Sequence, residues 1–134
     1  MAADIGLSRT KNEANAWMAV DLGPQWRLVA DHYALRNEGW GGITSTTVAL
    51  RNWELQVAIP MEGPWVTLRR HGDDESLAVR PYAEAAWSIE SGIHRAFRCF
   101  RIGQHRSNTT DSCRTCNLAD TLACGGIELY GEMV

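Results

Sequence analysis

Residues 50–74 read LRNWELQVAIPMEGPWVTLRRHGDD, and this stretch decides the fold. In Arg51–Val57, Trp53, Leu55 and Val57 alternate with Asn52, Glu54 and Gln56, the period-2 pattern of a strand with one buried face. A second strand over Trp65–Arg70 would place Val66 and Leu68 on one face and Thr67 and Arg69 on the other. Between them Pro60, Glu62, Gly63 and Pro64 suit a chain reversal, through fixed φ at proline and freedom at positive φ at glycine. The stretch predicts a β-hairpin.

A hairpin returns the chain to the end it came from, so the segments before Leu50 and after Arg70 are expected at one end of the sheet. Asn37–Thr47 (NEGWGGITSTT) is a Gly-rich loop carrying Trp40; His71–Tyr82 (HGDDESLAVRPY) carries His71, Asp73, Asp74 and Arg80. A working surface is sought there first.

The rest of the chain supplies more short strands. Trp17–Leu22 closes on Gly23-Pro24, and Leu28–Arg36 places Val29, Asp31, Tyr33 and Leu35 on one face with His32 opposite. Ala83–Ile89 has helical composition but is too short to hold a helix alone, so Trp87–Ile89 is read as strand. Arg95–Ile102 carries bulk on both faces, as a strand central to its sheet does, and Gly125–Gly131 is a last short strand. About seven short strands without a helix argue for an all-β sandwich.

At 134 residues the chain has the length of one domain, with residues 1–15 as a lead-in or edge segment and 16–134 as the domain proper. Its 6 Trp against 2 Phe suit a sandwich core, some of them as surface anchors. Thirteen basic and 16 acidic residues are interspersed, for a net charge of -3, with no basic stripe for nucleic acid. No run approaches the roughly 18 apolar residues of a membrane span, and the amino terminus lacks a signal-peptide core. The expectation is a cytoplasmic chain with reduced cysteines.

Several groups invite a chemical reading. Trp40, set among Gly39, Gly41 and Gly42, is either a ligand anchor or a cap folded over the sandwich end. His71, Asp73 and Asp74 could surround calcium or a reacting group, although calcium asks for six or more oxygens; the plainer account has His71 and Asp74 fixing a turn. His105, Cys113, Cys116 and Cys124 could supply a three-cysteine, one-histidine zinc site, but only one close ligand pair is present, and loop thiols or a Cys113–Cys116 disulfide are the alternatives. Arg98 and Arg101 alternate with aromatics as a paired or solvated set. No nucleophile elbow or phosphate-binding glycine loop accompanies the Ser, His and Asp residues, so no enzyme and no cofactor is expected.

AWMAVDLG (16–23), HYALRN (32–37), LRNWELQV (50–57), WVTLRRHGDD (65–74), FRCFRI (97–102) and GGIELYG (125–131) occur in the order and spacing of a discoidin-like module. The chain, over about Trp17–Met133, resembles the coagulation-factor C-type branch of the galactose-binding-like jelly rolls, in the intracellular form found in HECT-type ubiquitin ligases and BTB-domain proteins. The resemblance implies a jelly-roll sandwich of two antiparallel sheets, without catalytic activity, whose end loops grip a partner. A protein partner is expected, in a ubiquitin-ligase or cytoplasmic scaffold setting, with Trp40 as anchor and Ile43, His71, Asp73 and Arg80 around it; a glycan bound by the same loops is the alternative. The chain departs from the family pattern in a short amino-terminal part, in Pro60–Pro64 where an Asp-Gly turn is usual, and in a long 103–123 loop that has gained Cys113 and Cys116.

Overall fold

The computed structural model describes residues 17–37, 50–78, 80, 82–89, 95–104 and 126–134, together with the backbone of 8–9 and 123–124. Among these the regular elements are all strands: β1 (Ser8–Arg9), β2 (Trp17–Asp21), β3 (Leu28–Arg36), β4 (Trp53–Ala58), β5 (Val66–His71), β6 (Glu84–Ser88), β7 (Cys99–Gln104), β8 (Ala123–Cys124) and β9 (Gly126–Met133). A four-stranded antiparallel sheet runs β2-β7-β4-β5 and a three-stranded one β6-β3-β9; β1 and β8 form a separate pair. The architecture is a jelly-roll β-sandwich.

The hairpin is β4 and β5, joined through Ile59–Trp65, and β4 is central, paired with β5 on one side and β7 on the other. Trp53, Leu55 and Val57 point inward as their alternation requires, opposite Ile102 and Phe100 of β7 and, beyond it, Met18 and Val20 of β2. Tyr33 and Leu35 of β3, Trp87 of β6 and Ile127 and Leu129 of β9 supply the facing layer. These side chains form one contiguous core, and burying apolar area of this kind is the main favourable term in folding.

Two bulges shift the side-chain phase that strict alternation predicts. In β3 the register slips between Ala30 and His32, so Asp31 is exposed while Leu28 and Tyr33 both face inward. In the hairpin the slip opposite Leu55/Gln56 puts Arg69 across from Leu55 and turns His71 inward, whereas Val66 is left exposed. Val66 and Leu68, read as sharing one face, therefore part: Leu68 packs against the core and Val66 is exposed. Strand β6 begins at Glu84 rather than Trp87 because pairing with β3 along its whole length overrides the helical preference of Ala85 and Ala86.

On the outer face of the four-stranded sheet the Arg101 guanidinium lies 4.2 Å from the Trp65 ring and 5.7 Å from that of Trp17, with its Nε donating to Gln56 Oε1 at 2.6 Å. Arg98 forms a two-point pair with Asp21 at 2.7 and 2.8 Å. Both arginines are thus structural.

Candidate functional site

The register places the starts of β2, β4, β6 and β9 and the ends of β3, β5 and β7 at one pole. Asn37 and Leu50, which flank residues 38–49, therefore lie at the same pole as the 72–83 loop, and β7 ends there at Gln104. Asn37, buried at the tip of β3, shows the join directly: its Nδ2 donates to the carbonyls of Ala78 (2.8 Å) and Arg80 (2.9 Å), and its backbone N–H to that of Ala83 (2.9 Å). At the other end of the 38–49 loop, Arg51 Nη1 donates to Leu77 O at 2.7 Å, and Arg51 O accepts from the Asp74 N–H at 2.9 Å. Each root of one loop is hydrogen-bonded to the other loop, so their relative position is set by backbone partners, not by the identity of the tip residues.

Beneath this pole runs a chain of buried polar contacts. Trp53 Nε1 donates to the Tyr33 hydroxyl at 3.0 Å, which lies 2.5 Å from His71 Nε2; His71 Nδ1 lies 2.8 Å from Asp74 Oδ2, which also accepts from Trp87 Nε1 at 3.1 Å. Since the Tyr33 oxygen already accepts from Trp53, its own proton goes to Nε2, and the imidazole carries its proton on Nδ1, facing Asp74. The His71 ring stacks on Trp53, with centroids 3.9 Å apart and planes 9° apart. Burial pushes the Tyr33 hydroxyl pKa upward, so the phenol stays protonated and able to donate.

His71, expected on the rim, is 3% exposed and points into the core. Its Nδ1 meets the half-buried carboxylate of Asp74. Asp74 Oδ1 accepts from the Ser76 N–H at 2.9 Å, and this bond with the one from His71 fixes the turn, the plainer of the two readings of HGDD. Burial alone would raise the Asp74 pKa; hydrogen bonds from Ser76 and then His71 outweigh it and hold the carboxyl at about 2. Because this folded-state value lies below the unfolded one of 3.8, the contribution to stability is complete above about pH 4 and is lost as pH falls towards 2. Asp74→Asn is expected to flatten the dependence of urea-unfolding stability on pH between about 4 and 2, by about 2 kcal/mol or less.

The other expected residues fall in different places. Asp73 is exposed at φ 48°, and its N–H donates to Asn52 Oδ1 at 2.8 Å; Arg80 is exposed and tied by its carbonyl to Asn37. Trp40, Ile43, His105, Cys113 and Cys116 lie outside the described residues, and Cys124 is described only in its backbone, opposite Ser8. Among the described residues, no group of three or more His, Cys, Asp and Glu is placed to hold a metal ion.

Sequence reasoning missed Tyr82, which is 61% exposed at φ 60° on the same loop, and missed the clamps Asn37 and Arg51. A lone tyrosine after a proline is a weak signal. A strand-ending Asn in HYALRN hints at a turn but not at its distant partners.

No family model matches the chain. It is 33% identical over 126 residues to the E3 ubiquitin-protein ligase hecd-1 of Caenorhabditis elegans and 35% identical over 129 residues to the E3 ubiquitin-protein ligase Ufd4 of Drosophila melanogaster. Each match covers 93% of this chain and 4% of the ligase. Among solved structures, the lectin domain of lectinolysin, complexed with Lewis B antigen, superposes with a TM-score of 0.58 at 17% identity, over 98% of this chain and 92% of its own. The family 32 carbohydrate-binding module of Streptococcus pneumoniae EndoD does so with a TM-score of 0.56 at 10% identity, over 94% and 75%. The hairpin, the two-sheet topology and these relatives agree: the chain is a discoidin-like domain with the galactose-binding-like fold, of the kind found in HECT-type ubiquitin ligases.

Proposed function

We propose that the domain is a non-catalytic recognition module that holds a protein segment at the loop pole, in a ubiquitin-ligase or cytoplasmic scaffold setting. The observation that carries this reading is the cross-tying of the loops through Asn37 and Arg51, which leaves Asp73, Arg80 and Tyr82 exposed on a pre-set rim. A rim ordered before binding loses less entropy on contact. Trp40 is the anchor of this reading, with Ile43 as a further apolar contact and Asp73 and Arg80 as polar contacts; Tyr82 joins them. His71 supports the rim from below. The Tyr33–His71–Asp74 series has the residue types of a proton relay, but its imidazole is shut in the core, away from any substrate.

A glycan is the second reading, supported by the lectin and carbohydrate-binding module that share the fold. Peptide and glycan arrays probed in parallel separate the two. A peptide bound saturably, and at least about tenfold more weakly by Trp40→Ala and Tyr82→Ala at unchanged melting temperature, is the expected result. Saturable glycan binding lost in the same variants, with no peptide bound, would overturn the protein reading.

A further inference from the structure

A second surface lies on the outer face of the three-stranded sheet and is independent of the loop-pole reading. Pairing sets its outward residues in rows: Ser88, His32 and Tyr130; then Ala86, Ala34 and Glu128; then Glu84, Arg36 and Gly126. The middle row carries two alanines, and at Ala34 a small open trough is lined with Leu35, Arg36, Glu84, Gly126 and Glu128. At one end the His32 and Tyr130 rings stack face to face, with centroids 4.4 Å apart and planes 2° apart, held by Asp31 on His32 and by Glu128 on the Tyr130 hydroxyl. They form a rigid wall.

The charge on this face is one-sided. Among the described residues, Glu84 and Glu128 flank the alanine floor and Glu132 continues the row on β9, against Arg36 on the central strand and Arg69, which reaches the Ser88 carbonyl at the β6 edge. The outer face of the other sheet has the opposite balance, with Arg70 and Arg101 around Glu54. A trough with an apolar floor, carboxylates at either side and an aromatic wall suits an alkyl stem ending in a cation: the stem lies over Ala34 and Ala86, and the head meets Glu84 and Glu128. We propose that this face docks a lysine- or arginine-rich protein segment, with Ala34 as floor and Glu84 and Glu128 as the recognising groups.

The test is an amide NMR titration of the chain with the capped peptide Gly-Arg-Gly-Arg-Gly, run beside Gly-Glu-Gly-Glu-Gly and a neutral oligosaccharide. Saturable shifts at Ala34, Ala86 and Glu128 with the arginine peptide alone are expected, weakened about tenfold in Glu84→Gln/Glu128→Gln. Ala34→Leu keeps every charge and fills the trough, so it too should weaken binding about tenfold, a loss that diffuse attraction to an acidic surface would not show. Trp40→Ala should leave these shifts in place, which separates this proposal from the loop-pole reading. No saturable shift on this face, an unchanged affinity in either variant, or equal shifts with the oligosaccharide would overturn it.

Discussion

His71→Ala is expected to lower the free energy of unfolding by about 3–5 kcal/mol, read from the midpoint and slope of a urea titration. The ring fills space against Trp53 at 3.9 Å, so truncation leaves a cavity in a core that is otherwise continuous. It also takes the acceptor from the Tyr33 hydroxyl and a donor from Asp74, stranding polar atoms away from water. Tyr33→Phe isolates the second part: it keeps the ring volume, removes the link between Trp53 Nε1 and His71, and is expected to cost about 1–3 kcal/mol. Glu75→Ala, exposed on the same loop, should stay within about 0.5 kcal/mol of the parent chain. If His71→Ala matched Glu75→Ala, the buried relay would not be holding the pole.

Gly131→Ala is expected to cost about 3 kcal/mol and to lower the melting temperature by about 10 °C, measured by calorimetry. Gly131 pairs with Ala30 where β3 bulges at Asp31, and the backbones approach so closely that a Cβ there would sit 2.0 Å from Val29 O and 2.9 Å from Ala30 Cα. Both are main-chain atoms that move only if β9 leaves β3. Gly23→Ala is the contrast: its φ of 98° is positive, but nothing lies within 4 Å of the added methyl, so only backbone strain of about 1 kcal/mol remains. A Gly131→Ala chain as stable as Gly23→Ala would mean that the bulge is looser than the register implies.

The hairpin was readable because each of its features is local. Trp53, Leu55 and Val57 alternate strictly, and Pro60–Pro64 breaks the strand without help from elsewhere. The meeting of the loops at one pole followed from the hairpin alone, and Asn37 and Arg51 supply its physical join. What escaped the sequence depends on partners far along the chain. A bulge is set by the neighbouring strand, so a period-2 reading carried straight through Asp31 gave it the parity of Tyr33 and Leu35, and a β5 ended at Arg70 left His71 to the loop. The β6 alanines are strand because β3 offers a full row of hydrogen bonds. His71 looked like a surface group because HGDD reads as a turn, while the three groups that make its burial tolerable, Trp53, Tyr33 and Asp74, come from three separate segments.

In the proposed reading the domain's framework and its recognition surface are built from different residues: buried aromatics and a polar relay set the pole, and exposed loop side chains would make the contact. Amide hydrogen exchange on the chain, free and bound to the peptide selected on the array, tests that division most directly. Protection gained on binding should concentrate in residues 37–50 and 72–83, with little change at the opposite pole in 23–27 and 59–65. Protection gained at 23–27 and 59–65, with the 37–50 and 72–83 loops unchanged, would contradict it.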